Sequence, residues 1–116
     1  MNIEINGRER QLRFDLNFIR NLNESFQAEA SGMKVPMGVT LATMQLKMSD
    51  YSALSDVIRC ALNNSISQKD VDNVIEELAE KDEIDDLLTE VIEEMGKSSL
   101  IKRQLKKAEE QSQAEE

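Results

Sequence analysis

The stretch MNIEINGRERQLRFDLNFIRNLNESF, residues 1–26, decides the fold because its hydrophobic period changes partway along. Up to Phe14, short alternating segments flank Asn6-Gly7, the preferred pair for a two-residue type I′ turn. After Asp15, a residue type suited to a helix N-cap, apolar residues recur at helical spacing. The sequence therefore predicts a β-hairpin followed directly by a helix.

The turn also fixes the register of this hairpin. It sets Ile5 opposite Arg8 and Ile3 opposite Arg10. Four apolar side chains then share one face: Ile3, Ile5, Leu12 and Phe14. An isolated hairpin is marginal in water, so this face needs cover, and the helix that follows, predicted to run to about residue 30, supplies it.

The rest of the chain reads as helices joined by short connections. Residues 31–38 are expected to be a connection, and residues 39–48 fit a helix better than a strand. Apolar residues then recur at helical spacing up to Gly96, which is expected to end the last helix of this series. Asp50, Ser67 and Asp82 are expected to cap the later helices. The predicted fold is mainly α with an N-terminal β-hairpin, a small α+β protein of about five helices in a single domain.

The domain is expected to cover residues 1–96, with the hairpin at 1–14 and the helices at 15–96. Residues 97–116 are basic and then acidic, and we expect a C-terminal helix or tail that is partly disordered. At 116 residues, the chain is long enough for one modest core.

The charge distribution argues against nucleic acid as a partner. The net charge is −9, and the acidic excess lies in the second half, where residues 61–116 hold sixteen acidic and seven basic groups. Phosphate binding needs clustered Lys and Arg. The longest uncharged run, residues 35–46, is too short to span a membrane, which needs about 20 residues. We therefore expect neither a nucleic-acid nor a membrane partner.

Catalysis is not expected either. The sequence has no histidine, the commonest general base and metal ligand, and its one cysteine, Cys60, lies in an apolar stretch without an activating base. No phosphate-binding glycine loop is present. The acidic run from Asp70 does not fit a calcium loop, because it has Val74 at the fifth place, which needs an oxygen ligand, and Ile75 at the sixth, which needs glycine. The sequence predicts a non-enzyme with no cofactor and no metal.

Two features are candidates for binding a partner. A narrow stripe of one helix carries Met37, Leu41, Met44 and Met48. Methionine-rich surfaces adapt to varied partners, although core filling is the favoured interpretation of such a stripe. Residues 70–94 hold twelve acids and one lysine, from which the candidates are Glu76, Glu80, Glu90 and Glu94. These favour a basic partner, but solvated helix faces explain them more simply.

The order of features resembles a known family. A hairpin with Asn6-Gly7 precedes FIRNL at residues 18–22, and LSDVIRCAL at 54–62 precedes VDNVIEE at 71–77, an acidic helix and a Lys-rich end. This order resembles the short tail assembly chaperones of siphophages that infect Gram-positive bacteria. The likeness covers most of the chain and consists of patterns rather than short signatures.

The resemblance implies a protein of the host bacterial cytoplasm that is absent from the mature virion. Such chaperones bind the tape measure protein, keep it soluble and recruit the major tail tube protein, and they are prone to homo-oligomerise. They are often made in two lengths by ribosomal frameshifting, for which Lys106-Lys107 is the candidate position here. Two alternatives stay open: an acidic nucleic-acid mimic that inhibits a basic protein, and a structural tail completion protein.

Overall fold

A computed structural model describes the backbone of residues 1–114 and the side chains of residues 1–110. The chain is mainly helical, with two small antiparallel hairpins near its N-terminus. The strands are β1 Asn2–Ile5, β2 Arg8–Gln11, β3 Ala28–Ala30 and β4 Met33–Val35. The helices are α1 Leu16–Ser25, α2 Gly38–Lys47, α3 Tyr51–Ala61, α4 Gln68–Glu80, α5 Ile84–Lys97 and α6 Ser99–Ala114.

The described residues form six helices, so the prediction of about five is wrong. The sixth is α6, which begins after a break at Ser98, where the backbone is extended. Its residue Ile101 is fully buried and belongs to the common core. The core therefore continues past Gly96. The domain boundary at residue 96 and the partly disordered tail stay predictions. Residues 115–116 lie outside the described residues.

The first hairpin has the predicted register. Ile3 pairs with Arg10 and Ile5 with Arg8. The left-handed backbone at the turn, with φ of 53° at Asn6 and 77° at Gly7, is what a type I′ turn requires. The predicted apolar face packs on the core, where Ile3, Ile5 and Leu12 are buried and the ring of Phe14 meets Phe18 edge-on.

The second hairpin was not predicted. The helix expected to reach residue 30 ends at Ser25, and residues 28–35 form β3 and β4 around Ser31-Gly32. Both turn residues have positive φ, 54° and 79°, so the pair makes a hairpin turn instead of ending a helix. The expected connection over residues 31–38 therefore contains a strand and the first residue of α2.

The caps explain where most helices start. Asp15, Asp50 and Ser67 each accept a hydrogen bond from the backbone N–H three residues on, as predicted. Asp82 does not cap α5: its φ of 61° places it in the turn after α4, and Glu83 occupies the cap position without a side-chain bond. Gly96 lies inside α5 instead of ending it.

Helix α3 lies at the centre of the core. Its residues Leu54, Val57 and Ile58 are fully buried, and it packs against α1, α2 and α4. Helix α2 in turn contacts α5 and α6, so its position depends on tertiary packing from several sides. This placement leaves one side of α2 facing solvent.

Candidate partner-binding surface

Three of the four predicted stripe residues lie on the solvent side of α2, Met44 within the helix and Met37 and Met48 at its two cap positions. Met37, Met44 and Met48 are 41, 49 and 72% exposed, and Leu41 is half-buried. The buried face of the helix holds Gly38, Val39, Ala42 and Leu46. The core-filling interpretation is therefore wrong for these methionines, because the opposite side of the helix fills the core.

A fourth methionine adds to this exposed apolar area. Met33 of β4 is 70% exposed and precedes α2 by one short connection. We call Met33, Met37, Met44 and Met48 the methionine surface. The only other large apolar side chains exposed in the described residues are Leu16, Tyr51 and Leu100. Helical spacing does not connect Met33 to the other three methionines, because Pro36 separates it from α2.

The close packing of α1 on α2 fixes where the methionine surface points. A Cβ atom at Gly38 would overlap the backbone of Leu22 and Asn23, so only glycine permits this approach. The backbone N–H of Gly38 also donates to Asn23 Oδ1 at 2.9 Å, which holds the first turn of α2 in the absence of a side-chain cap. A glycine and an asparagine thus hold the start of α2 against α1.

The electrostatic setting of the methionine surface differs from that of the rest of the chain. Between Glu29 and Asp50 the sequence has no acidic residue and two lysines, Lys34 and Lys47. The whole chain, by contrast, carries 23 acidic residues and a net charge of −9. The segment that carries the methionine surface is therefore basic, whereas the chain as a whole is acidic.

Beside the methionine surface, an apolar cleft of about 130 Å³ opens between three helices. Helix α2 contributes Thr43, Leu46 and Lys47, α5 contributes Ile92, Met95 and Gly96, and α6 contributes Leu105. The Thr43 hydroxyl is buried and has no hydrogen-bond partner among the described residues. No sequence signal points to this cleft, because its walls come from segments about 50 residues apart.

The acidic candidates do not form one site. Glu76, Glu80 and Glu90 are exposed, and Glu76 and Glu80 line a wide groove between the first hairpin and α4, which Glu90 and Glu94 do not reach. Glu94 accepts a hydrogen bond from Lys97 Nζ at 2.8 Å, and this contact lowers the pKa of Glu94. The arrangement has the features of solvated helix faces.

The side chains best suited to chemistry are held in structural contacts. Burial raises the pKa of the Cys60 thiol, which lies 3.4 Å from Ser25 Oγ, so the reactive thiolate is disfavoured. Ser55, a buried polar residue, donates to Asp72, and Gln68 donates to both. These bonds join α3 to α4.

Within the described residues, no group of His, Cys, Asp and Glu side chains is arranged to hold a metal ion. None of the described helices has the length and apolar character needed to cross a bilayer. The candidate site therefore consists of the methionine surface and the apolar cleft beside it.

The family comparison agrees with a protein-binding role. A family model described as phage tail assembly chaperone protein matches residues 2–110. The chain belongs to this family. The match confirms the resemblance seen in the sequence, and membership implies protein partners in tail assembly. No curated protein and no solved structure matches this chaperone.

Proposed function

We propose that this tail assembly chaperone binds the tape measure protein through the methionine surface, keeps it soluble and recruits major tail tube subunits to it. It acts without catalysis, in the host bacterial cytoplasm, and does not enter the mature virion. The observation that carries this proposal is the exposure of four methionines on and beside α2. A monomeric protein rarely leaves such an apolar area uncovered unless it binds something.

The chemistry of methionine suits a reversible holding role. Its unbranched thioether side chain adapts to different apolar shapes, and full burial of one such side chain contributes about 1.5–3 kcal/mol. Association itself costs about 4–15 kcal/mol, so four methionines support binding without making it permanent. A chaperone must release its client when the tube assembles, and this balance permits release.

Co-expression with the tape measure protein tests the proposal. The wild-type chaperone should raise the soluble fraction of the tape measure protein severalfold over expression of that protein alone. A variant with serine at all four positions of the methionine surface should lose most of this effect. These positions are exposed, so the variant should fold normally.

The matched control is Leu16→Ser with Leu100→Ser, which removes exposed apolar side chains from α1 and α6 instead. This control should hold the tape measure protein as well as wild type does. The proposal fails if the tape measure protein is equally soluble without the chaperone, or if the control and the methionine variant lose activity equally.

Two further measurements separate the alternatives. Mass spectrometry of mature particles should detect none of this chain, whereas a tail completion protein would be present in each particle. Competition between the chain and DNA for a basic DNA-binding protein should be absent, whereas a nucleic-acid mimic would compete through the exposed acids of α4 and α5.

A longer product of frameshifting is part of the same proposal. Lys106-Lys107 lies within α6, so a shifted product would continue from a helix whose first turns pack on the core. The codons at and near this position must contain a slippery sequence; codons that cannot slip exclude a longer product from this position.

A further inference from the structure

The cleft between α2, α5 and α6 adjoins the methionine surface, so a partner bound to that surface also reaches the cleft. We infer that the cleft receives one apolar side chain of an amphipathic partner helix whose flanking residues are acidic, with Lys47 binding one of those carboxylates. The inference rests on the proposed function, since it specifies the chemistry of the segment that this surface binds.

The shape of the cleft fits a single anchoring side chain. Leu46, Ile92, Met95 and Leu105 supply apolar walls around about 130 Å³. For comparison, a 150 Å³ apolar cavity engineered in another protein is large enough to bind benzene. Gly96 leaves one wall open, because a Cβ atom added there would meet no atom within 4 Å. Anchors of this kind contribute most of the energy of helix-in-groove binding.

The cleft and the methionine surface form adjoining parts of α2. Thr43 and Lys47 line the cleft, and each is followed directly by an exposed methionine, Met44 or Met48. A partner helix lying along α2 would therefore place its apolar stripe on the methionines and one residue of that stripe in the cleft. Residues three and four apart share a helix face, so one partner helix can do both.

Local charge sets the chemistry of the partner's flanks. Lys47 lines the cleft, and the 20 residues between Glu29 and Asp50 contain no acid that would pair with it. Lys47 forms no ion pair among the described residues. A carboxylate one turn from the anchor would meet this ammonium, whereas a lysine there would be repelled. The chain as a whole has the opposite preference, because its net charge is −9.

The buried Thr43 hydroxyl gives a second reason for a polar contact here. It has no hydrogen-bond partner among the described residues, and a buried unpaired hydroxyl is costly. A partner side chain that opens the cleft slightly could supply the missing acceptor. A carboxylate oxygen is such an acceptor and would also neutralise Lys47.

Two synthetic helical peptides test the inference with the full-length chain. Both carry the same leucine stripe; one has glutamate at the flanking positions and the other has lysine. We expect the glutamate peptide to bind about tenfold more tightly at 0.15 M salt, where a Debye length of about 8 Å screens the distant acidic faces. Tighter binding of the lysine peptide would overturn the inference, because overall charge would then govern selection.

Three variants locate the effect. Lys47→Glu should reverse the peptide preference, whereas Lys69→Glu, the same charge change on an exposed residue of α4, should leave it unchanged. Gly96→Leu should fill the cleft and reduce glutamate-peptide binding about tenfold. Leucine favours a helix over glycine, so this variant should fold, which its thermal unfolding would verify. Equal effects of the two lysine variants, or full binding by Gly96→Leu, would overturn the inference.

Self-association is the competing occupant. If sedimentation finds a dimer that Gly96→Leu dissociates while neither peptide binds, a second copy fills the cleft and the inference is overturned. The two proposals can also fail separately. Loss of peptide preference in a chaperone that still solubilises the tape measure protein overturns only the inference, whereas a tape measure protein soluble without the chaperone overturns the proposed function.

Discussion

The solvent-exposed side of α2 differs in residue type from the exposed sides of α4 and α5. On α4 and α5 the buried positions are apolar, including Val71, Ile75, Leu88 and Val91, and the exposed positions are mostly acidic. On α2 the exposed side carries methionine and no acid. Acidic faces keep a protein solvated, whereas covering exposed methionines with a partner lowers the free energy. Of the two regions, α2 is the one with a reason to bind another protein.

The same two regions are also held in place differently. Helix α4 begins with a side-chain cap from Ser67, whereas α2 has no side-chain cap and depends on Gly38 against α1. A helix placed by tertiary packing can carry unusual residues on its free side, because those residues contribute little to its formation. The position of α2 therefore depends on tertiary packing, in which the close contact at Gly38 is the tightest approach.

The largest expected effect comes from breaking that contact with Gly38→Ala. The added methyl would overlap the Leu22 and Asn23 backbone, so α1 and α2 must separate and the Asn23 bond to the Gly38 N–H weakens. We expect a loss of about 3 kcal/mol in the free energy of unfolding, measured by urea denaturation.

The matched control is Gly96→Ala, where the added methyl meets open space inside α5. It should stabilise the protein by up to about 1 kcal/mol, as alanine does over glycine in a helix. If both variants changed stability equally and in the same direction, close packing at Gly38 would not be what positions α2.

The next effect in size is a gain in stability from Thr43→Val. The variant keeps the side-chain shape and removes a buried hydroxyl that has no partner among the described residues. We expect an increase of about 1 kcal/mol in the free energy of unfolding. Thr40→Val, on the same helix at a half-buried position, is the control and should give no such gain. A loss of stability in Thr43→Val would mean that its hydroxyl is satisfied in solution.

Local sequence signals predicted the regions that depend on local chemistry. Asn6-Gly7 gave the hairpin register, and Asp15, Asp50 and Ser67 marked helix starts, because a turn or a cap is decided by a few neighbouring residues. The hairpin at Ser31-Gly32 was not predicted, because the same residue pair can end a helix or turn a hairpin. Only pairing between β3 and β4 distinguishes the two.

Three of the four residues of the methionine surface were predictable from the sequence, but their exposure was not. The spacing of Met37, Met44 and Met48 placed them on one side of a helix, but that spacing does not say which side is buried. The buried side follows from Gly38 and from contacts with α5 and α6, which are distant in sequence. The cleft was unpredictable for the same reason, since three separate helices form it.

A smaller effect is expected from Asp56, on α3 near the α4 interface. Burial raises its pKa, and the nearby carboxylates of Asp72 and Asp50 raise it further, against a weaker opposing effect of Arg59. The folded state therefore holds this proton more tightly than the unfolded state does. Ionised Asp56 therefore destabilises the folded state. This destabilisation is absent below the unfolded pKa of about 3.9 and develops as the pH rises through the folded pKa.

Asp56→Asn removes this titration. The variant should be more stable than wild type at pH 7, and the difference should disappear near pH 3, where Asp56 is protonated in both states. Urea denaturation at the two pH values measures it. A difference that stays constant between them would show that lost contacts, not ionisation, account for the change.

The smallest expected effect tests the comparison between the two regions most directly. Replacing Glu76, Glu80 and Glu90 with glutamine removes three charges from α4 and α5 without changing side-chain size. If these faces serve solvation, the soluble fraction of co-expressed tape measure protein should change less than about twofold, in contrast to the large loss expected for the methionine variant. A loss as large as that one would transfer the binding role to the acidic faces, and the methionines of α2 would then need another explanation.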